Sequence, residues 1–349
     1  MASSKSHVEI GYLEKSESWK LESRFFPSKV GGKPAWLDFK NISINLKCEQ
    51  CSKPCIFLCQ VYAPLPTNEY SYHRMIYVFI CKDPDCCKPN DNSNFKVYRC
   101  HLPQVNEYYV PEEPEDEPSW HPESNVERFK KICIVCGACG PHQCGKCKIP
   151  KYCSREHQVL DWKSGHSKVC GSSNEIVNNT DVLFPEFEIM TEPEFLEDDE
   201  KLKKEGEKSE EEKMKEYQEL ISKGKAGTLQ DVPSDLIEQL AENKEDKFFK
   251  NYKDRISICP DQVLRYEKGG EPLWISKPNL SENDIPKCEH CNGTRQFEFQ
   301  ILSTMLNDLN VDSLDKSIDW GTLVVYTCKN NCDNGPIYIK EFLYKQDII

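Results

Sequence analysis

The 349-residue sequence predicts a mainly β (α+β) protein, in which two similar β-rich halves form one domain around a small inserted cysteine-rich unit. Three observations predict this fold class: a motif that occurs twice, strand-like segments in both copies, and linker-like segments on either side of the central unit. The predicted limits are 1–110 for the first half, 128–171 for the central unit and 248–349 for the second half. A chain of this length is expected to hold more than one folded unit.

The repeated motif joins a tryptophan, a Cys-x2-Cys pair, a strand-like segment with a glutamine, and a second cysteine pair. Its members are Trp36, Cys48, Cys51, Gln60, Cys81 and Cys86 in the first half, and Trp274, Cys288, Cys291, Gln300, Cys328 and Cys332 in the second. The glutamine follows the second cysteine by nine residues in both copies. Two copies are too few for a solenoid, so a duplicated β-rich half is the simplest explanation.

Both halves contain segments with strand composition. Residues 70–80 and 322–327 are rich in β-branched and aromatic side chains, which are typical of strands. Residues 295–301, with the sequence RQFEFQI, alternate polar and apolar side chains as a half-buried strand does. The segment 303–309 is compatible with a short helix.

Two segments have the composition of linkers. Residues 111–127 begin with PEEPEDEPSWHPE, which holds four prolines and six acidic residues. Within 172–247, residues 194–219 hold twelve acidic and six basic residues and few apolar ones. Such segments bury too little apolar surface to offset the entropy of ordering, so we predict an acidic and mostly disordered linker over 172–247.

The composition favours a soluble protein with reduced cysteines. Charged residues make up 30 % of the chain, the mean hydropathy is −0.67, and the apolar runs have the length of strands, not of membrane spans. The first ten residues lack an apolar signal core, so we expect a protein of the cytoplasm and nucleus. In a reducing compartment, the 20 cysteines are better explained by metal binding than by disulfides.

The central unit holds four ligand pairs at short spacings within 38 residues. They are Cys133 and Cys136, Cys144 and Cys147, Cys153 and His157, and His166 and Cys170. A two-residue gap lets one turn direct two thiolates at one metal ion, and zinc takes four nitrogen or sulfur ligands. The wider gaps of the last two pairs fit a helix, which we predict over 154–166 with Ser154 as its N-cap. Eight ligands predict two zinc sites, both closed and therefore not catalytic.

The cysteines of the outer halves predict two further zinc sites. One set is Cys48, Cys51, Cys81 and Cys86, and the other is Cys288, Cys291, Cys328 and Cys332. Cys87 is an alternative to Cys86, and reduced structural cysteines are the alternative to metal binding for both sets. Five cysteines have no assigned partner: Cys55, Cys59, Cys100, Cys139 and Cys259.

The charge of the chain indicates the class of its partners. The formal net charge is −13, and the thiolates of four zinc sites would lower it to −19. So acidic a chain is suited to a basic protein partner and not to general nucleic-acid binding, and we expect no direct DNA binding and no membrane association. The segment 128–170 is locally basic, with nine basic and two acidic residues, but it is poor in aromatic residues for base stacking.

The spacing of the central unit, with Gln158, Asp161 and Trp162 between the ligands, closely resembles the MYND finger. The resemblance implies that the first and third pairs share one zinc ion, and that the second and fourth share the other. The zinc sets are then Cys133, Cys136, Cys153 and His157, and Cys144, Cys147, His166 and Cys170. Many MYND fingers have cysteine at the position of His157, which is also a good ligand. The resemblance also implies binding of proline-containing peptides beside Gln158 and Trp162; plain packing of Trp162 on the finger is the alternative.

Both outer halves resemble the programmed cell death protein 2 family. The similar segments include VEIGYLEKSESWKLESRFFPSKVGGKPAWL near the start, and YKDRISICPDQVLRY, RQFEFQIL and DWGTLVVYTC in the second half. The resemblance implies a β-rich domain built from both halves with the finger inserted. It also implies a dedicated chaperone that binds a newly made basic protein of the small ribosomal subunit and supports its delivery to ribosome assembly.

Two other functions are weaker alternatives. The sequence contains no H-E-x-x-H and no G-x-S-x-G, and Gly32-Lys33 lacks the other residues of a phosphate-binding loop, so we do not expect an enzyme. The second alternative is a nuclear adaptor that recruits transcription regulators through peptide binding at the finger. A chaperone is expected to bind mainly through the β-rich halves, and an adaptor through Gln158 and Trp162.

Overall fold

The computed structural model describes residues 8–110, 125–171, 182–194, 247–311, 317–333 and 335–347. The strands are β1 (Glu9–Glu14), β2 (Lys29–Val30), β3 (Ile56–Tyr62), β4 (His73–Ile80), β5 (Phe95–Leu102), β6 (His142–Gln143), β7 (Lys151–Tyr152), β8 (Phe187–Pro193), β9 (Leu264–Tyr266), β10 (Arg295–Leu302), β11 (Thr322–Cys328), β12 (Tyr338–Lys340) and β13 (Phe342–Gln346). The α-helices are α1 (Val126–Phe129), α2 (Arg155–Asp161), α3 (Ser167–Val169) and α4 (Lys247–Ile258). A short 3₁₀ segment, Ser303–Asp308, occupies most of the predicted helix at 303–309.

Eleven of these strands form one antiparallel sheet, in the order β12-β5-β4-β3-β2-β8-β1-β9-β10-β11-β13. The run β2-β3-β4-β5 in the first half corresponds to β9-β10-β11-β13 in the second, and β8 and β1 lie between the two runs. The prediction of a mainly β fold with duplicated halves is therefore confirmed. Strands β6 and β7 form a separate two-stranded sheet in the central unit.

Two details of the repeat are the same in both halves. The pairing of β3 with β4 shifts register between Phe57 and Cys59, and that of β10 with β11 shifts between Phe297 and Phe299. These bulges bend the sheet at equivalent positions. The repeated glutamines are also equivalent, because the Gln60 side-chain oxygen accepts from the Ala35 N–H at 2.9 Å and that of Gln300 accepts from the Leu273 N–H at 2.6 Å. Each glutamine thus fixes the segment before the repeated tryptophan.

The two ends of the sheet meet at one residue. Strand β12 pairs with β5, and β13 pairs with β11 at the opposite end of the strand order. Only Glu341 separates β12 from β13, so the sheet is nearly closed. The carboxylate of Glu341 accepts hydrogen bonds from Arg99 at 2.8 Å and from Arg295 at 2.9 Å, and the bond from Arg99 joins the first half to the second. Near-closure leaves few unpaired strand edges.

The prediction of a linker over 172–247 is wrong for residues 182–194, which include strand β8 in the centre of the sheet. Strand β8 has few apolar residues that would reveal it in the sequence, because Ile189 is the only side chain in this strand that is buried. Averaging over a long acidic segment therefore hides it. In the other predicted linker, α1 begins at Val126. Residues 111–124, 172–181 and 195–246 of the predicted linkers lie outside the described residues.

A buried ion pair lies inside the sheet, between the halves. The guanidinium of Arg74 on β4 donates to both carboxylate oxygens of Glu298 on β10, at 2.7 and 3.0 Å, and both side chains are fully buried. Thr327 and Tyr266 donate further hydrogen bonds to the same carboxylate. Burial raises the pKa of Glu298, but Arg74 and these hydrogen bonds outweigh it, so that the pKa lies below its usual value. The carboxylate is therefore ionised in the fold.

None of the helices in the described parts of the chain is long and apolar enough to pass through a lipid bilayer.

Candidate metal centres

The structure brings together all four predicted ligand sets. In each set, the ligand atoms lie within 4.8 Å of one another. The sets are Cys133, Cys136, Cys153 and His157 (site 1), Cys144, Cys147, His166 and Cys170 (site 2), Cys48, Cys51, Cys81 and Cys86 (site 3), and Cys288, Cys291, Cys328 and Cys332 (site 4). Three of the four ligands are buried in every set, and the fourth is half-buried.

The distances within the sets fit tetrahedral zinc. A Zn–S bond of about 2.3 Å separates two tetrahedral sulfurs by about 3.8 Å. The sulfur–sulfur distances are 3.6 Å for Cys51 and Cys81, 3.6 Å for Cys136 and Cys153, 3.8 Å for Cys144 and Cys170, 3.5 Å for Cys288 and Cys332, and 3.4 Å for Cys291 and Cys328. Cys147 lies 3.5 Å from Nε2 of His166. All 20 cysteines are free thiols, so no disulfide competes for these sulfurs.

All four Cys-x2-Cys turns have the same backbone geometry. In each turn, the residue after the second cysteine has a positive φ and donates its N–H to the carbonyl of the first cysteine. These residues are Ser52 (φ 60°, 3.0 Å), Gly137 (φ 72°, 2.9 Å), Lys148 (φ 63°, 3.1 Å) and Asn292 (φ 56°, 2.9 Å). A left-handed conformation is unfavourable for Ser and Lys, so its recurrence indicates that the turns are built to hold two thiolates together.

Helix α2 supplies a ligand of site 1 from its first turn. The Ser154 hydroxyl accepts from the His157 N–H at 3.2 Å, and it caps the helix as predicted. The predicted helix over 154–166 continues past α2 as a wider turn, Trp162–His166, in which Gly165 leaves the helical conformation. A buried hydrogen bond of 2.6 Å from the Tyr152 hydroxyl to Asp161 fastens β7 to the end of α2.

The structure distinguishes Cys86 from Cys87. The Cys86 sulfur belongs to site 3, whereas the Cys87 sulfur lies beside the Asp319 backbone, 3.1 Å from its carbonyl oxygen, and 3.6 Å from Nζ of Lys345. Among the unassigned thiols, Cys59 and Cys100 are fully buried, and burial raises the pKa of Cys55 to about 12. None of the five unassigned cysteines belongs to a ligand group among the described residues.

Site 4 is connected to two buried ion pairs, Arg74 with Glu298 and Arg99 with Glu341, and no pattern in the sequence predicts these connections. Asn331, between the ligands Cys328 and Cys332, accepts from Nε of Arg74 at 2.9 Å. The carbonyl oxygen of Cys332 accepts from Arg99 at 3.1 Å. The Cys328 N–H donates to the carboxylate of Glu341 at 3.1 Å. A metal centre in the second half therefore orients two arginines from the first half.

The central unit packs on the first half. The indole N–H of Trp36, which is 1 % exposed, donates to the carbonyl of Gly137 at 2.7 Å. Phe129 stacks on Phe39 at a centroid distance of 5.9 Å, and Val135 belongs to the same apolar cluster as the sheet. Metal sites 1 and 2 are thus attached to the β-domain by a buried contact.

The predicted peptide-binding residues lie on the outer side of the central unit. Trp162 is 43 % exposed and touches only the ring of His166 among aromatic neighbours in the described residues, at 5.7 Å. Gln158 is half-buried. Val159 and Leu160 on the same helix are 40 % and 37 % exposed. Trp162 is therefore only partly packed on the finger, and peptide binding there stays a prediction.

Comparison with known proteins identifies the folded units. Residues 7–116 match the description "Programmed cell death protein 2, N-terminal domain", residues 246–347 match "Programmed cell death protein 2, C-terminal putative domain", and residues 133–170 match "MYND finger". The chain is also 40 % identical over 358 residues to programmed cell death protein 2 of Rattus norvegicus, covering 98 % of this chain and 96 % of the relative.

The chain belongs to the programmed cell death protein 2 family. A member from Homo sapiens, programmed cell death protein 2-like, is 26 % identical over 335 residues and covers 92 % of this chain and 90 % of its own length. A third relative, from Schizosaccharomyces pombe, carries the name "Probable 20S rRNA accumulation protein 4"; it is 34 % identical over 103 residues, which cover 26 % of this chain and 25 % of that protein. No solved structure matches the chain.

Membership of this family makes zinc the cofactor, because the MYND finger is a zinc-binding domain and the cysteine and histidine clusters fit zinc. The assignment of individual residues to each zinc ion stays a prediction. None of the three matching family descriptions names a catalytic domain.

Proposed function

We propose that the chain is a chaperone that binds a newly made, basic protein of the small ribosomal subunit and supports its delivery to ribosome assembly. The observation that carries this proposal is the family relationship to a fission-yeast protein whose name refers to the accumulation of 20S rRNA. That name links the family to the making of ribosomes, in which ribosomal proteins are assembled on RNA. The alignment with that protein covers 26 % of this chain.

The charge of the chain supports a basic client. The net charge is −13 before zinc binding, and ribosomal proteins must be kept from binding RNA before assembly. An acidic chain attracts such a client over long range and repels free RNA. The large sheet is well suited to this role, because it presents a preorganised surface that needs no ordering when a client binds.

The test is affinity purification of the tagged full-length chain from translating cells, followed by identification of the attached nascent chains. RNase treatment before elution removes proteins that are held only through RNA. We expect one small-subunit ribosomal protein to be enriched over all others. Equal recovery of many ribosomal proteins, or of none, contradicts the proposal.

The exposed side chains of α2 favour one second candidate, a peptide-binding adaptor that recruits nuclear regulators through the finger. Val159 and Leu160 of α2, and Trp162 directly after it, are exposed apolar side chains of the finger that a proline-containing peptide can reach. Deletion of the finger is a poor test of this candidate, because it would remove the acceptor of the Trp36 indole N–H. The variant Trp162→Ala leaves that contact intact. Loss of every major partner in this variant favours the adaptor, and retained capture of the ribosomal client favours the chaperone.

Two further inferences accompany the proposed function. We infer that the chain has no catalytic activity of its own, since the zinc sets are closed and their ligands are mostly buried. We also infer that it works in both the cytoplasm, where clients are made, and the nucleus, where ribosomes are assembled. Imaging of the tagged chain at its natural level tests the location, and its absence from either compartment contradicts it.

A further inference from the structure

The internal repeat places the same structural element in the molecule twice, once covered by the finger and once without that cover. The segments Pro34-Ala35-Trp36 and Pro272-Leu273-Trp274 are equivalent, because each is fixed by the repeated glutamine of its own half. In the first half, the indole N–H of Trp36 donates to the Gly137 carbonyl of the finger and the ring is 1 % exposed. In the second half, Trp274 is half-buried and no described residue accepts a hydrogen bond from its indole N–H.

A cleft of about 250 Å³ is lined by Pro272 and Leu273, which directly precede Trp274, and by residues of β9 and β10. Tyr266 and Phe297 contribute aromatic side chains to the lining, and Asn251 and Arg255 of α4 also line it. Phe297 also packs in the same cluster as Trp274, so the cleft and the tryptophan form one continuous surface. We call this surface, defined by Trp274, Phe297, Tyr266, Glu267 and Glu271, the Trp274 surface.

The charges of the cleft favour a cationic ligand. Arg255 and Arg265 line it, but both form ion pairs with Glu194, at 3.3 and 2.7 Å. Glu267 and Glu271 also line it, and neither carboxylate has an ion-pair or hydrogen-bond partner among the described residues. Because both arginines share the one carboxylate of Glu194, these five charges sum to −1, and the two carboxylates without a partner in the described parts of the chain are those of Glu267 and Glu271. Aromatic walls next to free carboxylates suit the stem and head of a lysine or arginine side chain.

We propose that the Trp274 surface binds an extended basic segment of the ribosomal client, whose backbone carbonyl accepts from Trp274 and whose cationic side chain enters the cleft toward Glu267 and Glu271. The finger provides the pattern for the first contact, because its Gly137 carbonyl makes the equivalent bond to Trp36. This inference rests on the proposed function, since it names the site at which that client is held.

The test uses the full-length chain and short synthetic peptides that tile the ribosomal protein captured during translation. The double variant Glu267→Lys, Glu271→Lys reverses both unpaired charges, and we expect it to weaken binding of the strongest peptide by at least about tenfold at low salt, less so at high salt. Trp274→Phe keeps the ring but loses the indole N–H, and we expect roughly three- to tenfold weaker binding. The control Glu14→Lys changes an exposed charge at the far end of β1, and it should bind within about twofold of the original chain.

The outcomes are distinct. A chain that captures its client during translation, but whose binding is unchanged by both sets of substitutions at the Trp274 surface, overturns this inference and leaves the proposed function intact. Equal weakening by Glu14→Lys also overturns it, because the effect would then reflect net charge and not the cleft. Failure to capture any ribosomal client removes the proposed function and this inference together. Circular dichroism and zinc content, unchanged in all variants, exclude loss of folding as the cause of weaker binding.

Discussion

At the scale of single residues, the four zinc sets are held by turns with one shared geometry, and their neighbours are as important as their ligands. Spacing, together with its recurrence in both halves, predicted which cysteines come together in sites 3 and 4, because the two-residue gap of the first pair directs two thiolates at one ion and a second pair follows in both copies. It could not choose between Cys86 and Cys87, since both follow Cys81 at a short distance. The choice depends on the contacts of Cys87 with Asp319 and Lys345, which come from the other half of the chain.

We predict that replacing Cys86 by serine lowers the zinc content of the chain and that replacing Cys87 does not. The full-length chain should contain four zinc ions, and Cys86→Ser should lose one of them because serine is a much weaker ligand. Cys87→Ser, the matched control, should retain all four. Elemental analysis of protein purified under reducing conditions measures this. Equal zinc content in the two variants would show that site 3 is assigned wrongly.

Removal of one charge from the buried pair of Arg74 and Glu298 should destabilise the fold strongly. Glu298→Gln leaves the Arg74 guanidinium fully buried without a counter-charge, which typically costs about 3–5 kcal/mol. The control Lys53→Ala breaks an exposed pair with Asp83, where solvent screens the interaction and the loss should be much smaller. Urea unfolding at constant zinc concentration measures both. Similar losses in the two variants would contradict the structural role of the buried pair.

The stability of the chain should depend on pH partly through His101, which is 5 % exposed. Burial and the neighbouring Arg99 lower its pKa to about 4, whereas an unfolded histidine has a pKa of about 6.5. Between these values, only the unfolded state takes up the proton, so this contribution to stability is complete above about pH 6.5 and declines as the pH falls toward 4. At pH 5 the loss should be on the order of 2 kcal/mol.

The variant His101→Gln should lack this decline, because glutamine does not titrate in this range. The informative quantity is the difference in unfolding free energy between the two proteins at pH 7 and at pH 5. Protonation of the zinc ligands is common to both and cancels in that difference. Parallel stability profiles would mean that His101 is not held neutral by the fold.

At the scale of secondary-structure elements, strong periodic segments were predicted well and weak ones were not. The segments 295–301 and 322–327 became β10 and β11 with nearly the predicted limits. The prediction that 295–301 is half-buried is wrong, because the polar side chains of Glu298 and Gln300 are buried too, with hydrogen-bond partners on other strands. Strand β8 was missed because only Ile189 is fully buried and its neighbours are acidic. The docking of the finger was also not predicted, since it depends on a backbone carbonyl, that of Gly137, which has no signal in the sequence.

We predict that Gly137→Ala weakens the attachment of the finger. Gly137 has a φ of 72°, and an added Cβ would lie 2.9 Å from Cβ of Lys33 and 3.0 Å from Cδ of Pro34, so the destabilisation should be about 1–3 kcal/mol. Gly145→Ala, in the equivalent turn of site 2, has nothing within 4 Å and serves as the control.

Limited proteolysis measures how firmly the finger is attached to the sheet. Cleavage between the finger and the sheet should be faster in Gly137→Ala than in Gly145→Ala, while both variants retain their zinc. Equal cleavage rates would indicate that the contact between Trp36 and the finger contributes little to docking.

At the scale of the whole molecule, the repeat was visible in the sequence but the way in which the halves combine was not. Strand β1, from the start of the chain, pairs with β9 of the second half, and β12 of the second half pairs with β5 of the first. Each half therefore lacks strands that the other supplies. The spacing of the repeated motif gives information about contacts within one copy of the repeat. These strand pairings instead join residues that are hundreds of positions apart in the sequence.

Neither half should fold alone. We expect 1–110 and 248–349 to aggregate when each is produced separately, because Arg74 and Arg99 in one and Glu298 and Glu341 in the other would be left without their partners. A chain cut between residues 195 and 246 should remain associated after cleavage. Size-exclusion chromatography and thermal unfolding distinguish these cases, and a cooperative transition in either isolated half would contradict the prediction.

The position of Glu341 has a consequence for biosynthesis. Ribosomes build a polypeptide from its amino end, and every other strand of the large sheet precedes β12 and β13 in the chain. The two edges of the sheet cannot be joined until β12 and β13 have left the ribosome. Until then, Arg99 and Arg295 lack the Glu341 carboxylate as their hydrogen-bond acceptor. The sheet of this chain, which we propose to bind other unfinished polypeptides, would thus stay open during most of its own translation. Its unpaired strand edges would then need protection by other factors.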